Sequence, residues 1–223
     1  MSALGPVWAI ARKDIVLELR NREIVVSLLV FSMLVLIVFN FAVELTTVNL
    51  AVVGPGILWV AIAFAGVLGV NRTFVLEKER DALDGLMLAP VSRDAMFLGK
   101  ALGSFLFMLV AEAVLIPVFA ALFDVSLMRG ETVVVALLAT SGFAGAGTVF
   151  AAMAVNTRSR EIMLPVLFLP VVSPLLIAAV EATAVIADGG GWGGLGAWLQ
   201  LLGVFDVLFV AGGAILFHYV LED

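Results

Sequence analysis

The chain has 223 residues, of which 63% are hydrophobic and 13% charged, with a net charge of −6 and a mean hydropathy of +1.20. Soluble domains carry charge on about a quarter of their residues, so this composition excludes a water-soluble protein, and the acidic balance argues against a nucleic-acid partner. Cysteine is absent, which excludes disulfides, thiolate metal sites and cysteine nucleophiles.

A hydrocarbon core of roughly 30 Å demands about 20 apolar residues per helix, so the length admits about six or seven spans. Before any apolar run comes "VWAIARKDIVLELRNRE". Arg12, Lys13, Asp14, Glu18, Arg20, Arg22 and Glu23 interrupt it, so a cleavable signal peptide is not expected and the first span should remain as an anchor. Trp8, Ile15 and Leu19 fall on one side of a helical wheel, with Arg12, Lys13 and Arg20 largely on another. This pattern predicts an interfacial helix over about 6–22, its apolar side in lipid.

Six apolar runs follow, at about 24–43, 50–70, 101–123, 132–155, 162–180 and 197–220, each long enough to span. Of the twelve Lys and Arg, only Arg129 falls in the connection between the third and fourth runs, and none falls in the first or fifth connection. The positive-inside rule then predicts cytoplasmic termini, with those three connections facing outward. The fourth run contains Gly142, Gly145 and Gly147, which leave room for close helix approach. In the fifth, Pro165, Pro170 and Pro174 stand four to five residues apart, predicting a kinked or locally unwound backbone; they are hinge candidates, either as a fixed kink or as a moving gate. "GGGWGG" at 189–194 reads as a short loop before the last run, with Trp192 and Trp198 suited to a membrane interface.

The second connection is far longer than a turn and unusually charged. Leu76, Leu83, Leu86 and Met87 follow helical spacing, while Lys78, Asp81 and Gly85 lie elsewhere on the wheel. Pro90 stops that helix, and Ser92 is an N-cap candidate for the next one. A short amphipathic helix over about 76–88 is therefore predicted, of the kind that docks in a groove on another protein.

The string "EKERDALDGLMLAPVSRDAMFLGK" resembles the coupling-helix region of ABC-2 type export permeases. Taken with "PGILWVAIAFAGVLGVNRTFVLE" and "LPVLFLPVVSPLLIAAVEAT", it is similar over essentially the whole chain to the CcmB (heme exporter protein B) family of cytochrome c maturation permeases. That resemblance implies an all-α integral membrane protein: one transmembrane permease domain over 1–223, with six transmembrane helices in an ABC-2 (type V exporter-like) arrangement. It further implies a homodimer in the bacterial inner membrane, working with an ATPase subunit (CcmA), with CcmC and CcmD, and with the heme chaperone CcmE. On this reading ATP is used by the partner, heme is handled by the complex, and Glu77, Glu79, Arg80, Asp81, Leu83, Asp84, Leu86 and Met87 couple the permease to the ATPase. The residues agree with this division of labour, because the chain has no phosphate-binding P-loop. Its one Gly-Lys pair, Gly99-Lys100, is preceded by Asp94 where the leading Gly belongs and followed by Ala101 in place of Ser or Thr.

Two acidic residues fall inside predicted spans, Glu112 in the third and Asp206 in the last. A charge there costs at least about 2.5–3.5 kcal/mol on insertion scales, which marks each as a functional candidate, against the plainer reading of a neutral or paired carboxylate facing the bundle. No residue is expected to bind a cofactor or metal directly: His218 and Tyr219 stand near one end of the last span, and the methionines show no pairing pattern. Alternatives are an ABC-2 exporter of another substrate, such as a drug or glycolipid, and a proton-coupled secondary carrier, which would use Glu112 and Asp206 but leave the docking helix without a purpose. An intramembrane enzyme is not expected, since the metalloprotease and nucleophile-elbow motifs are absent.

Overall fold

The computed structural model describes residues 4–20, 22–44, 50–79, 91–154 and 160–220. Its long helices are α1 (Leu4–Arg20), α2 (Arg22–Glu44), α3 (Leu50–Glu79), α4 (Arg93–Phe123), α5 (Gly130–Ala154) and α6 (Arg160–Ala187). A short 3₁₀ turn at Trp192–Gly194 precedes α7 (Gly196–Asp206), a π turn (Val207–Ala211) and α8 (Gly212–Val220). No strand occurs among the described residues, and six helical segments are long and apolar enough to cross a membrane. A helix pairs most of its backbone hydrogen-bonding groups within the segment, which is what hydrocarbon requires.

Helices α3 and α5 are the most buried of the spans, α2 and the α7–α8 span the least. α4 touches α1, α2, α3, α5 and α8, while α5 also packs on α3, α6 and α7. One core joins them: Phe97, Leu115 and Phe119 of α4, Leu58 and Ile62 of α3, Phe143 of α5, and Phe168 and Leu175 of α6. Phe143 and Phe168 meet edge to face, with ring centroids 4.8 Å apart, a preferred aromatic geometry. Polar bonds register the outer helices on this core. Trp59 Nε1 donates to Thr183 Oγ1 (2.8 Å) between α3 and α6, and Asn40 Nδ2 donates to the Leu122 carbonyl (2.9 Å) between α2 and α4.

The third span starts earlier than its apolar run. Ser92 caps α4, its Oγ accepting from Ala95 N–H (3.3 Å), so the helix begins at Arg93 and not near residue 101. At the other end Asp124 terminates it in the left-handed region (φ 52°), a conformation Asp tolerates better than most residues. The second span likewise overruns its apolar run, α3 continuing to Glu79.

The prolines of the fifth run predicted a kinked or locally unwound backbone. α6 stays helical from Arg160 to Ala187 through all three prolines, with no unwound segment. Pro174 has no N–H to offer the Pro170 carbonyl, and Ser173 Oγ donates to it instead (2.8 Å). The last span, free of proline, is the one that departs from α-geometry, at the π turn directly after Asp206. Single π turns inside helices are frequent at functional sites.

Helix α1 does more than lie in an interface. Trp8 is 57% exposed, as expected of a lipid-facing residue, but Ile10, Ala11 and Asp14 are buried against α4. The close approach depends on two glycines of α4. A Cβ on Gly99 would lie 2.7 Å from Ile10 Cβ and 3.0 Å from the Val7 carbonyl oxygen, and one on Gly103 would lie 3.2 Å from Asp14 Cβ.

Candidate functional site

Three polar features are set into this apolar bundle, and two of them lie on α4. Near its start, Lys100 is 3% exposed and reaches Asp14 of α1, with Nζ 3.4 Å from Oδ2. Lys13 stands on the other carboxylate oxygen at 3.3 Å from its more exposed position. An opposed pair with close contacts is the form in which buried charge is tolerated, and it fastens α1 to the helix that leaves the charged connection. Asp14 and Lys100 were singled out by nothing in their local sequence, being 86 positions apart.

Twelve residues further along α4, Glu112 is also buried, 2% exposed. It has no cation within ion-pair distance among the described residues. Thr140 of α5 donates its hydroxyl to Glu112 Oε1, whereas Oε2 is buried without a hydrogen-bond partner. Glu112 is among the residues that line a cavity of about 470 Å³ between α4 and α5.

Asp206 ends α7 at the start of the π turn. Its Oδ1 is buried and unpartnered, and it lies 2.8 Å from where a Cβ on Gly142 would sit. Gly145 similarly admits the Phe209 carbonyl oxygen, 3.3 Å from its Cβ position. The small residues of α5 thus bring the irregular stretch of the last span against its backbone, a use of small residues typical of membrane helices.

Both sequence-selected carboxylates therefore address α5, but not together. Their contacts, Thr140 and Gly142, are two positions apart and so point about 200° from each other around a helix of 3.6 residues per turn. Glu112 and Asp206 therefore meet α5 at different residues.

Of the coupling residues, Glu77 and Glu79 lie in the last turns of α3. Arg80, Asp81, Leu83, Asp84, Leu86 and Met87 lie outside the described residues. Pro165 is within α6, and Pro170 and Pro174 are exposed on its surface. His218 and Tyr219 are in α8. Among the described residues no group of three His, Cys, Asp or Glu stands close enough to hold a metal ion.

Comparison with known proteins gives this architecture a family. The chain is 29% identical over 190 residues to heme exporter protein B of Bradyrhizobium diazoefficiens, covering 85% of this chain and 84% of that protein. It is 31% identical over 162 residues to the protein of the same name from Rhodobacter capsulatus, covering 72% and 74% respectively. The corresponding protein of Escherichia coli strain K12 is 29% identical over 178 residues, covering 78% of this chain and 80% of that one. The family model described as CcmB protein matches residues 6–217, from α1 into α8, and the chain belongs to the CcmB family.

Proposed function

We propose that this chain is the membrane permease component of an ATP-driven complex that handles heme during cytochrome c maturation, with ATP bound and hydrolysed by a separate subunit. The observation that carries the reading is the family match over residues 6–217, together with relatives named heme exporter protein B along most of the chain. The absence of a P-loop from the sequence supports an external source of energy. The partners on this reading are the ATPase CcmA, the heme-handling CcmC with CcmD, and the chaperone CcmE. A second copy of this chain completes the permease in the bacterial inner membrane. The distribution of basic residues supports cytoplasmic termini, which puts residues 80–90 on the side where ATP is available.

Coupling then runs through Glu77, Glu79, Arg80, Asp81, Leu83, Asp84, Leu86 and Met87. The apolar members seat in a groove of the ATPase and the charged members orient it at the rim. A push on this segment is delivered to α3 at Glu79 and to α4 at the Ser92 cap. Because Lys100 holds Asp14, α1 moves with α4. Pro165, Pro170 and Pro174 serve as the flexible point of α6 on the far side of the core.

Leu86→Asp is expected to weaken ATPase recovery in a pull-down from detergent extracts far more than Glu79→Ala, since buried apolar anchors carry most interface affinity and rim charges little. Equal recovery with both variants, at equal permease levels, would place the docking surface elsewhere.

A further inference from the structure

Helix α1 sorts its charges by sign. Asp14 is buried on Lys100 of α4. Glu18, half-buried, lines a narrow cleft with Asp14, Gly103 of α4 and Gly69 of α3, so both acidic side chains turn toward the bundle. The basic Arg12 and Arg20 are exposed, and no carboxylate lies within ion-pair distance of either among the described residues.

The outward side is regular as well as basic. Trp8, Arg12, Val16 and Arg20 follow one another at four-residue intervals, which makes each a neighbour of the next along the helix surface. All four are exposed, Trp8 at 57% and Val16 at 44%. An apolar side chain thus alternates with an arginine over about 18 Å, the rise of twelve helical residues.

The depth of this stripe is set by what lies behind it. Ile10 and the Val7 carbonyl stand against Gly99, and Asp14 and Ala11 against Gly103, while the apolar run of α4 starts at about residue 101. Those contacts bracket the edge of the hydrocarbon. At that depth a bilayer surface covers Trp8 and Val16 with acyl chain and offers phosphate to the arginines, as it does for amphipathic helices with basic polar faces.

We infer that this stripe binds the surface of a bilayer containing anionic phospholipid, with Trp8 and Val16 in the acyl boundary and Arg12 and Arg20 on headgroup phosphates. A guanidinium takes two phosphate oxygens at once, and its uncompensated charge favours a headgroup of net negative charge over a zwitterionic one. Each basic residue near an anionic surface contributes about a fivefold preference. Because Asp14 ties α1 to Lys100, lipid that holds α1 also holds the start of α4. The lipid contact is independent of ATPase coupling, and the test contains no ATPase, so the two fail separately.

The chain has no native cysteine, so Ala9→Cys, exposed beside the stripe, gives a single site for a nitrobenzoxadiazole fluorophore. The full chain is placed in nanodiscs of phosphatidylcholine and phosphatidylglycerol, and quenching is measured with doxyl-labelled phosphatidylglycerol or doxyl-labelled phosphatidylcholine at equal mole fraction. Quenching by the anionic lipid should be at least about threefold stronger, and high salt should lower that ratio by screening. Val52→Cys, 66% exposed in a stretch without basic residues, should be quenched equally by both lipids. Arg12→Gln with Arg20→Gln, both at exposed positions, should bring the ratio at Ala9→Cys close to one in a protein that still elutes as a single species. Inorganic phosphate at constant ionic strength should leave the ratio unchanged; its collapse would identify a site for free phosphate and overturn the inference. Equal quenching by the two lipids with both arginines present would also overturn it, as would a ratio that survives their removal. Quenching by neither lipid would mean that another protein or water covers the stripe, and the inference would fall.

Discussion

Helix α4 carries two buried ionisable side chains, and they are handled in opposite ways. Lys100 has a carboxylate from α1 at 3.4 Å, and glycines at 99 and 103 let the two backbones close around the pair. Glu112 has a hydroxyl on one oxygen, nothing on the other, and a cavity beside it. The contrast separates structure from function. A charge whose partner lies in the same chain is part of the scaffold, and its removal leaves the partner stranded. A buried carboxylate with no cation beside it contributes no ion pair to the scaffold.

The largest expected effect follows from stranding Asp14. Lys100→Met leaves a carboxylate in a buried site, and breaking such a pair costs about 3–5 kcal/mol. Because Lys13 remains 3.3 Å from the other oxygen, a loss at about the lower end is expected, read as reduced resistance to unfolding in mixed detergent micelles. Adding Asp14→Leu should recover most of it. A double variant no more stable than Lys100→Met alone would show that the pair is not the scaffold element.

Packing between the same two helices comes next. Gly99→Val places its Cβ against Ile10 and the Val7 carbonyl, and overpacking of this kind costs about 1–3 kcal/mol. Because the obstruction includes backbone, the same change should also lift α1 from α4. A cysteine introduced at Ala11, which is fully buried, should become reactive to a maleimide in that background. Unchanged protection would mean that α1 tolerates the wider side chain.

The smallest effect on stability is expected at Glu112. Glu112→Gln keeps an acceptor for Thr140 and breaks no ion pair, so stability should shift by less than about 1 kcal/mol. Cytochrome c maturation in a strain that depends on this permease should nevertheless fall. A destabilisation as large as that of Lys100→Met would erase the distinction between the two sites.

Much of the molecule was legible in the residue order. Apolar runs of about twenty residues can do little else in a bilayer than span it as helices, so the six spans followed from hydropathy alone. Ser92 before a helix and Pro90 before Ser92 fixed where α4 begins, since capping and proline geometry act over a few residues. The end of α3 was less legible, because helix continues past the last apolar residue wherever polar residues are also good helix formers, as they are in the last turns of α3.

Other features were decided by chain segments far apart. Glu112 and Asp206 stood out in the sequence because charge is costly in hydrocarbon, but only packing shows that both of them meet α5, at different residues. The prolines of α6 predicted a kinked or unwound backbone; the helix is not unwound, and Ser173 donates to the Pro170 carbonyl that Pro174 cannot reach with an N–H. The π turn formed instead in a span with no proline, where the backbone lies against the glycines of α5. The partnership of Asp14 with Lys100 left no local trace at either position. Hydropathy and capping are short-range and can be read along the chain, whereas which buried polar atom finds a partner depends on which helix faces lie together, and that is settled only when the bundle closes.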